Sequence, residues 1–490
     1  MARSTRRKPT TEGTAASPSS SRRVTRSQAK AMKQQQQQQQ PKDAPTETLP
    51  PLTAAEWKKL NPKTEHYEFG GPVGAFAMIT LLPIVVLAFA FGCDASGYDP
   101  LQRSYALFTD LVKGKFSWDI IFSMATSWNI SALFWYIMFI AQLVTFAIAM
   151  PGDTVQGTKL RDGSRLTYKL NGLQSAQTLF MVSMMANRGL GYRTPLYVFD
   201  NFEHLAVASI IIAFAVSIGV YIKSFTGNPR LLALGGNTGN AIYDFMVGRE
   251  LNPRIGQFDI KFFTELRPGL LGWMVINICM GIKQYLNLDR VTNSMVLVLA
   301  FQALYVLDAL YNESSILTTM DITTDGFGFM LAFGNLCWVP MMYSLQARYL
   351  VDFPVDLSYP ALAGILALQC AGYYIFRSAN AQKDNFRQNP NDPAVRDLKY
   401  IETSKGSKLI TSGWWGKARH INYLGDWLMS VAWCLPCGFG SIIPYFYCIY
   451  FGILLIHRER RDDEKCRKKY GMDWEKYCSI VKYRIIPGVY

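Results

Sequence analysis

Long runs of apolar residues, repeated along almost the whole chain, limit what it can fold into. They fall at 73–92, 130–150, 172–187, 204–223, 268–285, 293–311, 326–345 and 359–376, with a shorter pair at 427–436 and 441–456. A helix needs about 20 apolar residues to cross the hydrocarbon core of a bilayer, and unpaired backbone cannot face lipid. The pattern therefore predicts an all-α polytopic membrane protein with about ten transmembrane helices. Half of the 490 residues are hydrophobic, and the charged 18% gather between the runs rather than spreading evenly. Gln174, Gln177, Asn187, Asn335 and Gln346 interrupt or end runs. Polar residues in spans either bond another helix or face a cavity.

The net charge of +14 is uneven. Residues 1–42 hold ten Lys and Arg against Glu12 alone, so this tail carries +9. The tail is rich in Ser, Thr and Gln, including Gln34–Gln40, and it lacks an apolar segment. Its composition predicts a disordered basic tail over 1–48. With no apolar region after the charges it is not read as a cleavable signal. Positive charge beside the first span favours a cytoplasmic N-terminus. This tail is also the one segment suited to nucleic acid or acidic lipid.

Between the spans, residues 50–70 read as an amphipathic lead-in, and 93–129 as a connection with an interfacial helix near 103–112. The stretch Gly235–Gly239 looks like a phosphate loop, but no Gly-Lys-Ser/Thr follows and no strand precedes, so it reads as an ordinary loop. Cys434 and Cys437 form a CxxC around Pro436 with no second pair and no nearby His; no metal site is expected there.

Chemistry-bearing residues concentrate near the C-terminal end. Lys383 and Arg387 are four apart, so they share a face if the preceding span continues as helix, and two cations on one face can clamp a phosphate. Trp415 and Tyr423 offer flat faces, and Asn422 both donates and accepts, as a carboxamide requires. Arg419 and His420 suit phosphate or the membrane surface, Asp462 and Tyr477 suit ribose hydroxyls or an exocyclic amine, and Arg467, Lys468 and Lys469 suit a further phosphate or a solvated helix face. Each alone reads more readily as a solvated or packing residue than as a ligand contact. Together they predict a nucleotide-like ligand at a membrane face. A second group, Asp308, Tyr311, Glu313 and Asp325, lies at or beyond the end of an apolar run. A carboxyl in an apolar site keeps its proton and can act as an acid, with a tyrosine passing the proton on.

Long motifs then carry a resemblance. They are Leu251-Asn252-Pro253-Arg254-Ile255-Gly256, Glu265-Leu266-Arg267-Pro268-Gly269, Thr319-Met320-Asp321 and Asp325-Gly326-Phe327-Gly328-Phe329-Met330. Gly413-Trp414-Trp415-Gly416, Asn422-Tyr423-Leu424-Gly425-Asp426 and the ending through Trp474-Glu475-Lys476-Tyr477 and Tyr483-Arg484 continue the series. Over about residues 60–490 the chain resembles the sterol reductases of the endoplasmic reticulum. It is most similar to the Δ14-sterol reductases of fungi and also resembles the membrane part of the lamin B receptor. The resemblance implies a roughly ten-span domain over 49–490 that binds NADPH in a cytosol-facing pocket within 358–490. It places Lys383, Arg387, Ile410, Trp415, Asn422, Tyr423, Asp462, Cys466, Arg467, Lys468, Lys469, Tyr470 and Tyr477 at the cofactor, and Tyr311 at a buried position facing sterol. Ile421 departs from the Pro that many members carry after Arg-His.

The implied reaction is ionic reduction of a sterol's 14,15 double bond. Tyr311, helped by Asp308, Glu313 or Asp325, would protonate the 15 position, and hydride from NADPH would reach the tertiary cation at 14. The resemblance implies the endoplasmic reticulum membrane, and through the lamin B receptor the nuclear envelope. Other sterol-pathway enzymes are candidate partners. The alternatives are reduction of another sterol bond (Δ7 or side chain), a non-catalytic nuclear-envelope scaffold, and a membrane methyltransferase with a similar Arg-His…Asn-Tyr pocket. The last is far shorter and does not match over 224–345.

Overall fold

In the computed structural model, which describes residues 52–94, 97–98, 129–227 and 230–490, the apolar runs are helical. The tail at 1–48 and the helix expected near 103–112 lie outside the described residues. The short α1 (Ala54–Leu60) is held by a capping box in which Thr53 and Glu56 satisfy each other's backbone N–H groups. The order continues α2 (Gly71–Gly92), α3 (Ile130–Ala149), β1 (Asp153–Lys159), β2 (Arg165–Leu170), α4 (Gly172–Leu190) and α5 (Phe202–Lys223). Then come α6 (Gly272–Leu288), α7 (Asn293–Tyr311), α8 (Tyr359–Gln388), β3 (Tyr400–Glu402), β4 (Lys408–Ile410), α9 (Ile421–Cys434), α10 (Phe446–Tyr470) and α11 (Met472–Ile480).

Among the described residues five helices, α2, α3, α5, α7 and α8, are long and apolar enough to cross a membrane. Their outer faces carry exposed Val73, Trp135, Ile218, Val296 and Leu366, a surface suited to lipid rather than water. The chain is thus a mostly helical membrane protein. A strictly all-α description is too narrow, because four two-stranded antiparallel hairpins connect helices among the described residues.

The other apolar runs are shorter, more polar or broken. Residues 326–345 do not form one helix: Phe329–Phe333, a π-turn at Gly334–Trp338 and Val339–Met342 follow one another, with Leu345–Asp352 beyond. The run at 268–285 begins inside a π-helix, Glu265–Leu271. Pro268 has no N–H to give the usual i→i−4 bond, and the widened turn absorbs that loss.

Glycines permit two close approaches. A Cβ on Gly425 of α9 would lie 2.6 Å from Phe376 N on α8, and one on Gly372 of α8 would lie 2.8 Å from Gly425 O. The α8 and α9 backbones therefore touch, as small residues allow between helices in lipid. Gly248, at φ +94°, meets the Asp325–Gly328 loop: a Cβ on Gly326 would lie 1.9 Å from Gly248 O, and one on Gly328 2.3 Å from Gly248 N. That contact gives a physical reason for the glycines of the Asp-Gly-Phe-Gly motif.

Candidate cofactor pocket

The α8 helix is 30 residues long, more than a bilayer crossing requires, so its polar end projects beyond the apolar stretch with Lys383, Phe386 and Arg387. The loop before α9 is fastened to it. Trp415 donates its indole N–H to Ala379 O at 2.8 Å, and the Trp414 backbone N–H reaches Gln382 Oε1 at 2.9 Å. The Arg419 and His420 backbone N–H groups donate to Tyr483 O (2.9 Å) and Arg484 O (2.7 Å). Gly471, at φ +54°, turns α10 into α11, and Trp474 donates to Asp463 Oδ1 at 3.0 Å to hold the two together.

These elements and the β3–β4 hairpin enclose a cavity of about 320 Å³, within the range of small-molecule sites. Nine of the predicted residues line it: Lys383 and Arg387 from α8, Ile410 from β4, Trp415 from the loop, and Asp462, Cys466, Lys469, Tyr470 and Tyr477 from α10 and α11. Six cations, Lys383, Arg387, Lys408, Arg419, Lys465 and Lys469, face it against the single carboxylate of Asp462. The Lys383 ammonium sits 4.3 Å above the Trp415 ring. His420 Nε2 lies 3.5 Å from Asp462 Oδ2, and its ring stacks on Tyr423 at 4.9 Å. Burial, then the Lys383 and Arg419 charges, hold His420 down to about 3, so at neutral pH it is an uncharged donor or acceptor.

Four predicted residues do not line this cavity. Asn422 and Tyr423 follow it on the first turn of α9, where Asn422 Oδ1 is shielded and has no hydrogen-bond partner among the described residues. Arg467 and Lys468 turn away: Arg467 pairs with Asp463 (3.3 Å) and Lys468 with Glu464 (2.7 Å). Successive residues rotate by about 100° on a helix, so Asp462, Lys465, Cys466 and Lys469 share one face that positions 467 and 468 miss. Lys408 and Lys465 were not anticipated. Lys408 sits on a short hairpin with no periodic signal, and Lys465 lies in a charged run that reads as a solvated face.

The expected acids are placed differently from the sequence reading. Tyr311 is not buried: its side chain is 68% exposed at the end of α7. Glu313 is buried, but it accepts the Gly172 N–H (2.8 Å) at the start of α4 and pairs with buried Arg267 at 3.4 Å. Asp308 pairs with Arg377 at 3.5 Å and accepts from Tyr373 at 3.1 Å. Asp325 pairs with Arg461 at 3.1 Å, and Arg461 also binds Glu68 at 2.6 Å. Beside them Arg458 pairs with Asp321 (3.3 Å), and buried Lys261 donates to Asp325 O (2.8 Å). The three carboxylates thus hold cations and helix ends. Asp426 differs. It lies on α9 one turn beyond Asn422, and its Oδ1 is shielded and without a hydrogen-bond partner among the described residues, although the Arg458 charge acts on it. It also interacts electrostatically with Tyr305 of α7.

The Gly235–Gly239 loop binds an internal anion: the Thr238 and Gly239 N–H groups both donate to the Asp244 carboxylate at 2.9 Å. Its likeness to a phosphate loop is explained by this substitute.

Residues 63–490 match the profile of the "Ergosterol biosynthesis ERG4/ERG24 family". The chain belongs to this family. It is 50% identical over 427 residues to "Delta(14)-sterol reductase erg24" of Schizosaccharomyces pombe, covering 87% of this chain and 97% of that relative. It is 46% identical over 486 residues to the "Delta(14)-sterol reductase" of Neurospora crassa, covering 89% and 99%. A third family relative, "Delta(14)-sterol reductase LBR" of Gallus gallus, is 47% identical over 435 residues, covering 87% of this chain and 64% of its own.

Proposed function

We propose that this protein is an NADPH-dependent Δ14-sterol reductase that saturates the 14,15 double bond of a sterol intermediate. Family membership and relatives of that name support the bond, and the pocket supports the cofactor. The donor set fits a nucleotide with several phosphates: six cations, the faces of Trp415 and Tyr477, and shielded unpartnered polar atoms at Arg419 Nε and Asn422 Oδ1. Lys383, Arg387 and Lys469 would hold phosphates, and Asn422 the carboxamide. Bound NADPH supplies a hydride.

The observation that carries the reading is the pair of shielded, unpartnered oxygens on Asn422 and Asp426. They stand four residues apart on α9, about one turn, so a carboxamide held by Asn422 would lie on the same helix face as an acid. We assign Asp426, with Tyr305 beside it, the proton for the 15 position, in place of Tyr311. Protonation there leaves the developing charge on the tertiary 14 position, where three carbons stabilise it. Water would compete with hydride for the cation, and the aromatic packing of Trp273, Tyr305 and Trp433 around this part of α7 and α9 supports a site that keeps it out.

Asp426→Asn is expected to bind NADPH normally and lose sterol turnover, whereas Tyr311→Phe keeps both. An Asp426→Asn protein with full turnover would sink the assignment. We further propose about ten crossings with a cytosolic pocket, in the endoplasmic reticulum membrane and nuclear envelope. The remaining helical runs and the positive charge beside the first span support this arrangement.

A further inference from the structure

Lys465 is the pocket residue whose surroundings are least complete. It lies on the cavity-facing side of α10, and its Nζ is shielded from solvent with no hydrogen-bond partner among the described residues. An ammonium withdrawn from water needs a compensating anion, and among the described residues none hydrogen-bonds it, Glu464 acting on it only electrostatically. The nearby acids are engaged: Glu464 holds Lys468 (2.7 Å), Asp463 holds Arg467 (3.3 Å), and Asp462 lies against His420 (3.5 Å). Lys465 also stands four residues before Lys469, which faces the same cavity. Like charges at this spacing repel and destabilise a helix. Two such lysines side by side over a cavity, one of them shielded, form an arrangement that an anion would complete.

We infer that Lys465, acting with Lys469, binds a phosphate group of the dinucleotide. The inference rests on the reading of the cavity as the NADPH pocket. Lys465 supplies a point charge with three donors, and a phosphate oxygen can accept from both ammonium groups at once. On a dinucleotide the group is either the 2′-phosphate or the pyrophosphate, and the chemistry at the lysine is the same for both. If it is the 2′-phosphate, Lys465 sets the preference for NADPH over NADH.

The test uses the full chain purified in detergent, with dissociation constants for NADPH and NADH read by fluorescence, independently of turnover. Lys465→Met is expected to weaken NADPH binding about tenfold or more, and Lys465→Arg to restore most of it. Weaker NADPH binding with unchanged NADH binding assigns Lys465 to the 2′-phosphate. An equal loss for both nucleotides assigns it to the pyrophosphate. Competition by 2′,5′-ADP and 5′-ADP should follow the same split. Wild-type affinity for both nucleotides in Lys465→Met overturns the inference and leaves the pocket assignment standing. Failure of the wild-type chain to bind either nucleotide overturns the pocket assignment itself. Thermal unfolding of each variant without nucleotide separates loss of a contact from loss of the fold. Exposed Lys476→Met, on the adjoining helix, serves as a charge control and should bind like wild type.

Discussion

Glu313 gives a quantitative test of whether the buried carboxylates of this fold are reagents or fasteners. Its side chain is 5% exposed, and that of its partner Arg267 is 2% exposed. It also accepts the N–H of Gly172, the first residue of α4, where the helix dipole favours a negative group. Glu313→Ala removes both interactions and leaves the Arg267 guanidinium buried, with Asn171 its remaining side-chain partner. Breaking one side of such a pair typically costs about 3–5 kcal/mol, because the surviving charge stays desolvated. The double variant Arg267→Met with Glu313→Leu removes both charges, and should recover at least half of that loss. Thermal unfolding of detergent-purified protein, followed by size-exclusion fluorescence, reads the order wild type, double variant, Glu313→Ala. Sterol turnover per folded Glu313→Gln molecule should stay close to wild type, since the proton is assigned to Asp426. The reasoning fails if Glu313→Ala unfolds like wild type. It also fails if Glu313→Gln folds normally but loses turnover, which would restore the acid role.

Gly425→Ala places a methyl group 2.6 Å from Phe376 N. It must separate α8 from α9, costing about 1–3 kcal/mol as overpacking does, and it should weaken NADPH binding because Lys383 and Asn422 ride on the two helices; unchanged affinity and stability would contradict the close contact. His420 is held to about 3 against an ordinary 6.5, so below pH 6.5 the unfolded chain takes up a proton that the folded chain refuses. Stability should therefore fall as the pH drops from 6.5 towards 3, and His420→Gln should flatten unfolding midpoints over pH 4.5–7 by up to about 1.4 kcal/mol per pH unit; parallel profiles would show that His420 titrates normally.

The five long apolar helices among the described residues were legible because run length sets them in lipid. The breaks within 326–345 were signalled by Gly326, Gly328, Gly334 and Pro340, yet a window average of hydropathy smooths such residues away. Most of the pocket was legible because its residues sit on helices where spacing sets direction, as with Lys383 and Arg387. The differences in placement have a common cause. Which way a residue points at a helix end depends on partners distant in sequence, so nothing local to Glu313 announces Arg267 or Gly172, and nothing local to Tyr311 announces its exposure. Asp426 ends the Asn422–Asp426 motif, but the role proposed for it rests on the hydrogen-bond partner that its Oδ1 lacks among the described residues.

The three glycines where the 325–328 loop meets residue 248 have a consequence for how sequences of this kind can drift. Two stretches of main chain rest directly on each other there, with no side chain to trim or repack. A methyl group at any of the three positions would act as a wedge, displacing both stretches together, and with them the carboxylate that Arg461 secures. Change at this junction is all or nothing: variation elsewhere in these segments can be gradual, while here the smallest substitution already exceeds the space available.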